Sequence, residues 1–279
     1  MSTPLQQEDS MSFSTLPGIG MGTFRLKGNT AREAVKSALS LGYRHIDTAQ
    51  MYDNEAEVGD GITSSGIPRR EIFITTKIWY DQLHASDLIN SLHGSLDRLK
   101  TDHVDLALIH WPSPGDEVPM EEYLGALRDA QREGLTDHIG ISNFNCAQMD
   151  KAVEILGDAP LLTNQVEVHP FLANKKVVQH AQSLGITVTG YMPLAVGKVM
   201  EDETLLHIAQ DRNVSPAQVA IAWVASRGVV PIPSSTRPAH LKANLDALNI
   251  ELTDDEIRAI DALDRGERIA NPGFAPDWD

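Results

Sequence analysis

Four polar side chains, Asp47, Tyr52, Lys77 and His110, are of the types that together could move a proton to or from a substrate. A free phenol has a pKa of about 10, too high for ready exchange at neutral pH. A lysine beside it favours the phenolate and lowers that pKa, and a carboxylate beside the lysine keeps the ammonium charged and aimed. In this reading Asp47 holds Lys77, Lys77 tunes Tyr52 as the general acid, and His110 hydrogen-bonds and orients a substrate carbonyl oxygen. Taken singly, each has an ordinary alternative: Asp47 as the cap of a following helix, His110 as a satisfied core histidine.

Such a set works only if the chain gathers it. Polar residues follow many of the short apolar runs: Asp47, Lys77, His110, Ser142 with Asn143, Gln165, Tyr191, and Ser234 with Ser235. The runs near 20–24, 44–46, 72–76, 104–109, 137–141, 162–166, 186–190 and 229–232 predict eight strands, alternating with amphipathic helical stretches and uninterrupted by a Pro/Gly/Ser-rich linker. Strand and helix alternating in this way predict one α/β domain, a single (β/α)8 TIM barrel. In that fold the residues at the strand ends converge on the C-terminal rim, where barrels carry their chemistry.

Leu88, Leu92, Leu96 and Leu99 share one helical face, and Leu124 and Leu127 mark a helix over 121–132. Thr30 with Glu33, Ser215 with Gln218 and Thr253 with Glu256 have capping-box spacing, and Pro216 suits the first helical position. The polar, acidic stretch 1–11 reads as a disordered extension, with Met11 as an alternative start, and 12–279 as the barrel domain.

Composition narrows the partners. Apolar residues make up 42% and charged residues 22%, an ordinary globular balance. The net charge of -16 repels nucleic-acid phosphates and anionic lipid. The N-terminus lacks a signal-peptide pattern and no apolar run approaches the roughly 20 residues of a membrane span. A cytoplasmic monomer acting on a small molecule, with no nucleic-acid or membrane partner, is therefore expected. Cys146, the only cysteine, is expected to be a small buried apolar residue. Glu167 and His169 could be read as metal ligands, but two leave a zinc site short of a third, so a structural role and no metal are expected.

At these residues the sequence resembles the aldo-keto reductases. Gly42-Tyr43-Arg44-His45-Ile46-Asp47-Thr48-Ala49, followed by Tyr52, Asn54-Glu55 and Val58-Gly59, is similar to the family's first signature. Thr75-Thr76-Lys77 and Ile109-His110-Trp111 match the segments carrying its lysine and histidine. Ile139-Gly140-Ile141-Ser142-Asn143-Phe144 and Asn164-Gln165-Val166-Glu167 resemble two further ones. The likeness runs from about Gly18 to Trp278.

The resemblance implies a reductase that uses NADPH, with NADH less favoured, to turn carbonyls into alcohols. It implies that Ser142, Asn143 and Gln165 hold the nicotinamide carboxamide, Tyr191 stacks on its ring, Leu194 lies along the pyrophosphate and Asn244 near the adenine. Many relatives have Lys where Ser234 stands and Arg where His240 stands. Ser235, Thr236 and Arg237 still offer two hydroxyls and a guanidinium to a 2′-phosphate. The ending Ala275-Pro276-Asp277-Trp278-Asp279 resembles the bacterial 2,5-diketo-D-gluconate reductase B and methylglyoxal reductase group, which implies α-dicarbonyls, diketones, aldehydes and keto-sugar acids as substrates. Phe24, Trp79, Trp111 and Trp278 are the aromatic candidates for the pocket wall, with core packing as the alternative for each. A barrel that binds the nucleotide as a regulatory subunit with little turnover is the competing reading; a metal-dependent barrel hydrolase is a third.

Overall fold

The computed structural model describes residues 15–279. The expected extension at 1–11 lies outside them.

Eight strands run in chain order around one sheet, each parallel to the next. They are β1 (Met21–Gly22), β2 (His45–Asp47), β3 (Phe73–Ile78), β4 (Val104–Ile109), β5 (Thr136–Ser142), β6 (Leu161–Glu167), β7 (Thr187–Tyr191) and β8 (Val229–Pro231). The ends meet: Gly20 N donates to Pro231 O and Gly22 N to Pro233 O, each at 3.0 Å. At that seam a Cβ on Gly22 would stand 2.9 Å from the Ile232 carbonyl oxygen, so glycine is what lets the backbones approach.

Helices cover the outside: α1 (Gly28–Leu41), α2 (Glu55–Ser64), α3 (Ala85–Leu99), α4 (Met120–Arg132), α5 (Cys146–Leu156), α6 (Lys175–Ser183), α7 (Glu203–Arg212), α8 (Pro216–Ser226), α9 (Pro238–Asp246) and α10 (Asp254–Asp261). Because helices cover one face of the sheet and side chains fill the other, every residue of β3 and β4 is buried, including the polar Thr75, Thr76, Lys77 and Asp105 that interrupt their otherwise apolar sequences. Leu88, Leu92, Leu96 and Leu99 of α3 and Leu124 and Leu127 of α4 lie in the core between sheet and helices, as their spacing predicts. Inside the barrel, Phe73, Leu106 and Leu108 cluster together. His45 Nε2 lies 3.0 Å from Thr75 Oγ1, and burial pulls its pKa down to about 4, so this histidine is neutral filler.

Ser215 with Gln218 and Thr253 with Glu256 form the reciprocal bonds of capping boxes, and Pro216 opens α8. Thr30 with Glu33 does not. Gly28, at φ +52, turns the chain into α1 early, so Lys27 is the N-cap and Thr30 already lies in the first turn. An unforeseen box forms at Asn145 and Gln148, at the start of α5. The expectation for Cys146 also fails: as the first residue of α5 it is only partly buried. Local desolvation and Asp279 push its thiol up to about 11.

Candidate active site

The C-terminal rim assembles itself from the strand ends. β2 ends on Asp47, and a 3-10 turn at Gln50–Tyr52, closed by Asp53 at φ +50, carries Tyr52 back over the strand. β3 delivers Lys77 from below, fully buried. Its Nζ lies 2.5 Å from Asp47 Oδ1, 2.9 Å from the Thr48 carbonyl oxygen and 3.2 Å from the Tyr52 hydroxyl, so each ammonium proton has an acceptor. The second Asp47 oxygen accepts Gln165 Nε2 at 2.7 Å. Asp47 is thus committed to the barrel interior, and the helix-cap alternative falls.

Burial lowers the Lys77 pKa, but Asp47 and Tyr52 outweigh it and hold the ammonium above its ordinary range. For Tyr52 the balance differs from the sequence expectation. Burial raises the phenol, Lys77 pulls it down, and Asp47 raises it again, with a net rise. The expected lowering is present as one contribution and is overridden by desolvation. At neutral pH the phenol therefore keeps its proton, the state a donor needs.

His110 follows β4 and is 7% exposed. Burial, then the charge of Lys77, push it well below its ordinary pKa, so the ring is neutral. Its Nδ1 is buried without a hydrogen-bond partner. The ring stands edge-on to Tyr52, 5.8 Å between centroids, and to Trp79, 5.0 Å.

Beyond these four, Asn143 sits at φ +64, a left-handed position that asparagine tolerates better than most residues. Its Nδ2 donates to His110 O at 3.0 Å and Ser142 Oγ at 3.1 Å, while its Oδ1 accepts the Tyr191 hydroxyl at 2.8 Å. Ser142 Oγ donates to Gln165 O at 2.8 Å. Gln165 Oε1 engages no group among the described residues, leaving an acceptor for an amide N–H. An aromatic ring beside an open amide acceptor fits a nicotinamide and its carboxamide.

A cavity of about 390 Å³ joins these groups. Asp47, Tyr52, His110, Ser142, Asn143, Gln165, Tyr191, Leu194 and Ser234 line it, with Phe24 and Trp111 from the aromatic set. Lys77 lies beneath Tyr52. Trp79 and Trp278 stand behind the lining, Trp79 against His110 and Trp278 at 6.1 Å from Trp111. Ser235, Thr236, Arg237 and His240 lie outside the cavity, on the segment entering α9 and its first turn, and Asn244 is buried within that helix. The Arg237 side chain has no carboxylate partner among the described residues.

Sequence reading missed several neighbours. Arg25, Met51, Met192 and Val196 line the cavity. Phe274 packs on Trp111 at 5.5 Å, Trp79 at 6.0 Å and Tyr80 at 4.6 Å. The tail containing it carries no periodicity to announce it, and an aromatic among Pro and Gly was the only signal. Glu167 and His169 pair with each other, Nε2 to Oε1 at 2.9 Å. Among the described residues no group of three or more His, Cys, Asp or Glu could hold a metal.

Known proteins resemble this chain over nearly its whole length. Residues 18–265 match the Aldo/keto reductase family. Methylglyoxal reductase DkgB of Escherichia coli O157:H7 is 52% identical over 265 residues, covering 95% of this chain and 99% of that protein. Glyoxal reductase of Bacillus subtilis (strain 168) is 38% identical, covering 92% of each. A crystal structure provisionally described as a 2,5-diketo-D-gluconic acid reductase B superposes with a TM-score of 0.92 at 44% identity, covering 97% of this chain and 98% of that one. The Bombyx mori aldo-keto reductase in complex with NADP superposes at 0.87 with 32% identity, covering 94% of each. With the family profile spanning most of the chain and relatives aligned nearly end to end, this chain is an oxidoreductase that belongs to the aldo/keto reductase family.

Proposed function

We propose that this chain uses NADPH to reduce small carbonyl compounds, α-dicarbonyls foremost, to alcohols, with Tyr52 as general acid. The observation that carries this reading is the buried relay Asp47–Lys77–Tyr52, opening on a cavity lined by neutral His110 and by the Asn143 and Tyr191 pair. When bound, the dihydronicotinamide supplies the hydride that forms the new C–H bond. Tyr52 gives its phenol proton to the carbonyl oxygen as that oxygen gains charge. Lys77 stabilises the phenolate left behind, and Asp47 keeps the ammonium in place. His110 hydrogen-bonds the same oxygen from the other side, orienting the carbonyl.

Ser142, Asn143 and Gln165 would hold the carboxamide, with Tyr191 against the ring, Leu194 along the diphosphate and Asn244 near the adenine. Ser234, Ser235, Thr236, Arg237 and His240 would face the 2′-phosphate, Arg237 being the fixed charge among them. The named activities of the methylglyoxal and glyoxal reductases that the chain resembles support a small, activated carbonyl as substrate. The largely apolar cavity, walled by Phe24 and Trp111, suits the same class. We further read the chain as a cytoplasmic monomer, and its net charge of -16 disfavours nucleic-acid and anionic-membrane partners; sedimentation of the purified chain tests the monomer.

The direct test is NADPH oxidation by purified protein across aldehydes, diketones and keto-sugar acids. Carbonyl-dependent oxidation is expected. A chain that binds NADPH and oxidises it with none of them is a binding subunit instead.

A further inference from the structure

The carboxylate of Glu167 ends strand β6, two residues beyond Gln165, and is completely buried. Burial works against its charge, yet His169 and two backbone N–H groups hold the carboxyl below its usual range. Those N–H groups belong to the C-terminal tail: Ile269 N donates to Oε1 and Ala270 N to Oε2, each at 2.7 Å. Ala270 lines the cavity. Beyond it the tail folds back on itself, with the Arg268 guanidinium 3.7 Å from the centroid of the Trp278 ring and Trp278 Nε1 donating to Asn271 Oδ1 at 2.9 Å. The same tail places Phe274 and Trp278 against Trp111.

We propose that Glu167 is a positioning residue for substrate selection: by clamping the amides of residues 269 and 270 it sets the tail whose aromatic side chains back the carbonyl pocket. The inference rests on the proposed carbonyl reduction at that pocket. The physical ground is that a carboxylate accepting two N–H groups is a charge-assisted, two-point clamp, stronger and more directional than neutral bonds. Glu167 is also the tail's innermost anchor. The Phe171 carbonyl takes Arg265 N at 3.3 Å and Glu267 N at 3.0 Å, so the loop after β6 docks the approach, while Glu167 fixes the point where the tail enters the wall. One strand thereby serves two ends of the site, Gln165 toward the nicotinamide position and Glu167 toward the substrate wall.

The test is Glu167→Gln in the full chain, which keeps size but loses the charge and one acceptor oxygen. Hydrogen exchange at the 269 and 270 amides should accelerate. KM for a diketone with alkyl arms should rise about tenfold while kcat and the NADPH dissociation constant change by no more than about twofold. In a Phe274→Ala/Trp278→Ala background the same substitution should add little, because the wall it positions is gone. Unchanged exchange, equal losses in cofactor and substrate affinity, or a KM effect that persists in full without the two aromatics would each overturn the proposal. Should the wild-type chain reduce no carbonyl at all, the functional reading falls, and the exchange experiment still decides whether Glu167 holds the tail.

Discussion

Lys77 Nζ stands 3.2 Å from the Tyr52 hydroxyl, with Asp47 on its far side at 2.5 Å. The ammonium is thus placed to stabilise a phenolate that desolvation opposes. In the proposed reaction Tyr52 starts protonated and becomes an anion only as the substrate oxygen takes its proton.

Removing that proton alone should separate chemistry from binding. Tyr52→Phe is expected to lower carbonyl reduction by about 10²–10⁴-fold, the usual contribution of a positioned general acid, while NADPH affinity stays near the parental value. Reduction at the parental rate would mean that another group donates.

Lys77→Met should reveal the tuning through pH. Lys77 lowers the Tyr52 pKa, so its loss raises it further. Alcohol oxidation needs the phenolate, and its rate-versus-pH limb should therefore move to higher pH, with reduction slowed as well. A pH profile for oxidation superimposable on the parental one would show that the two groups are not coupled.

Arg237, exposed and without an ionic partner among the described residues, is expected to read the 2′-phosphate. Arg237→Ala should raise the NADPH dissociation constant about ten- to a hundredfold, the weight of a well-formed charged hydrogen bond, and leave that for NADH nearly unchanged. Equal losses for both would assign Arg237 to a feature the two nucleotides share.

Methylglyoxal and vicinal diketones should surpass acetone and cyclohexanone in kcat/KM, because a neighbouring carbonyl withdraws electrons and makes the attacked carbon more receptive to hydride. Steady-state kinetics decide it. A simple ketone exceeding every α-dicarbonyl would remove the substrate assignment.

The barrel seam makes a stability prediction. Gly22→Ala sets a Cβ 2.9 Å from the Ile232 carbonyl oxygen, where backbone rather than a flexible side chain must yield. A loss of about 1–3 kcal/mol is expected, as for other overpacked positions, and should appear as a lowered Tm in thermal melts. An unchanged Tm would show that the seam is looser than its geometry.

Local physics carries much of this protein in its sequence. Burial on both faces favours apolar residues, so β3 and β4 are legible as largely apolar runs despite Thr75, Thr76 and Asp105, and Lys77 and His110 stand out at or just beyond their ends. The leucines of α3 announce their face because a helix repeats every 3.6 residues. The boxes at Ser215 and Thr253 need partners only three residues away. Thr30 has the same spacing, yet the turn at Gly28 starts the helix before it, a matter of backbone direction that spacing does not encode. The sign of the Tyr52 shift also depended on the fold: lysine and phenol can be paired on paper, but the weight of desolvation depends on how deeply the barrel buries them. Most hidden was the tail. Glu167 meets Ile269 and Ala270 across more than a hundred residues, and Phe274 packs on Trp111 from the same tail. No periodic pattern marks such contacts, because their partners are set by where the closed barrel leaves room.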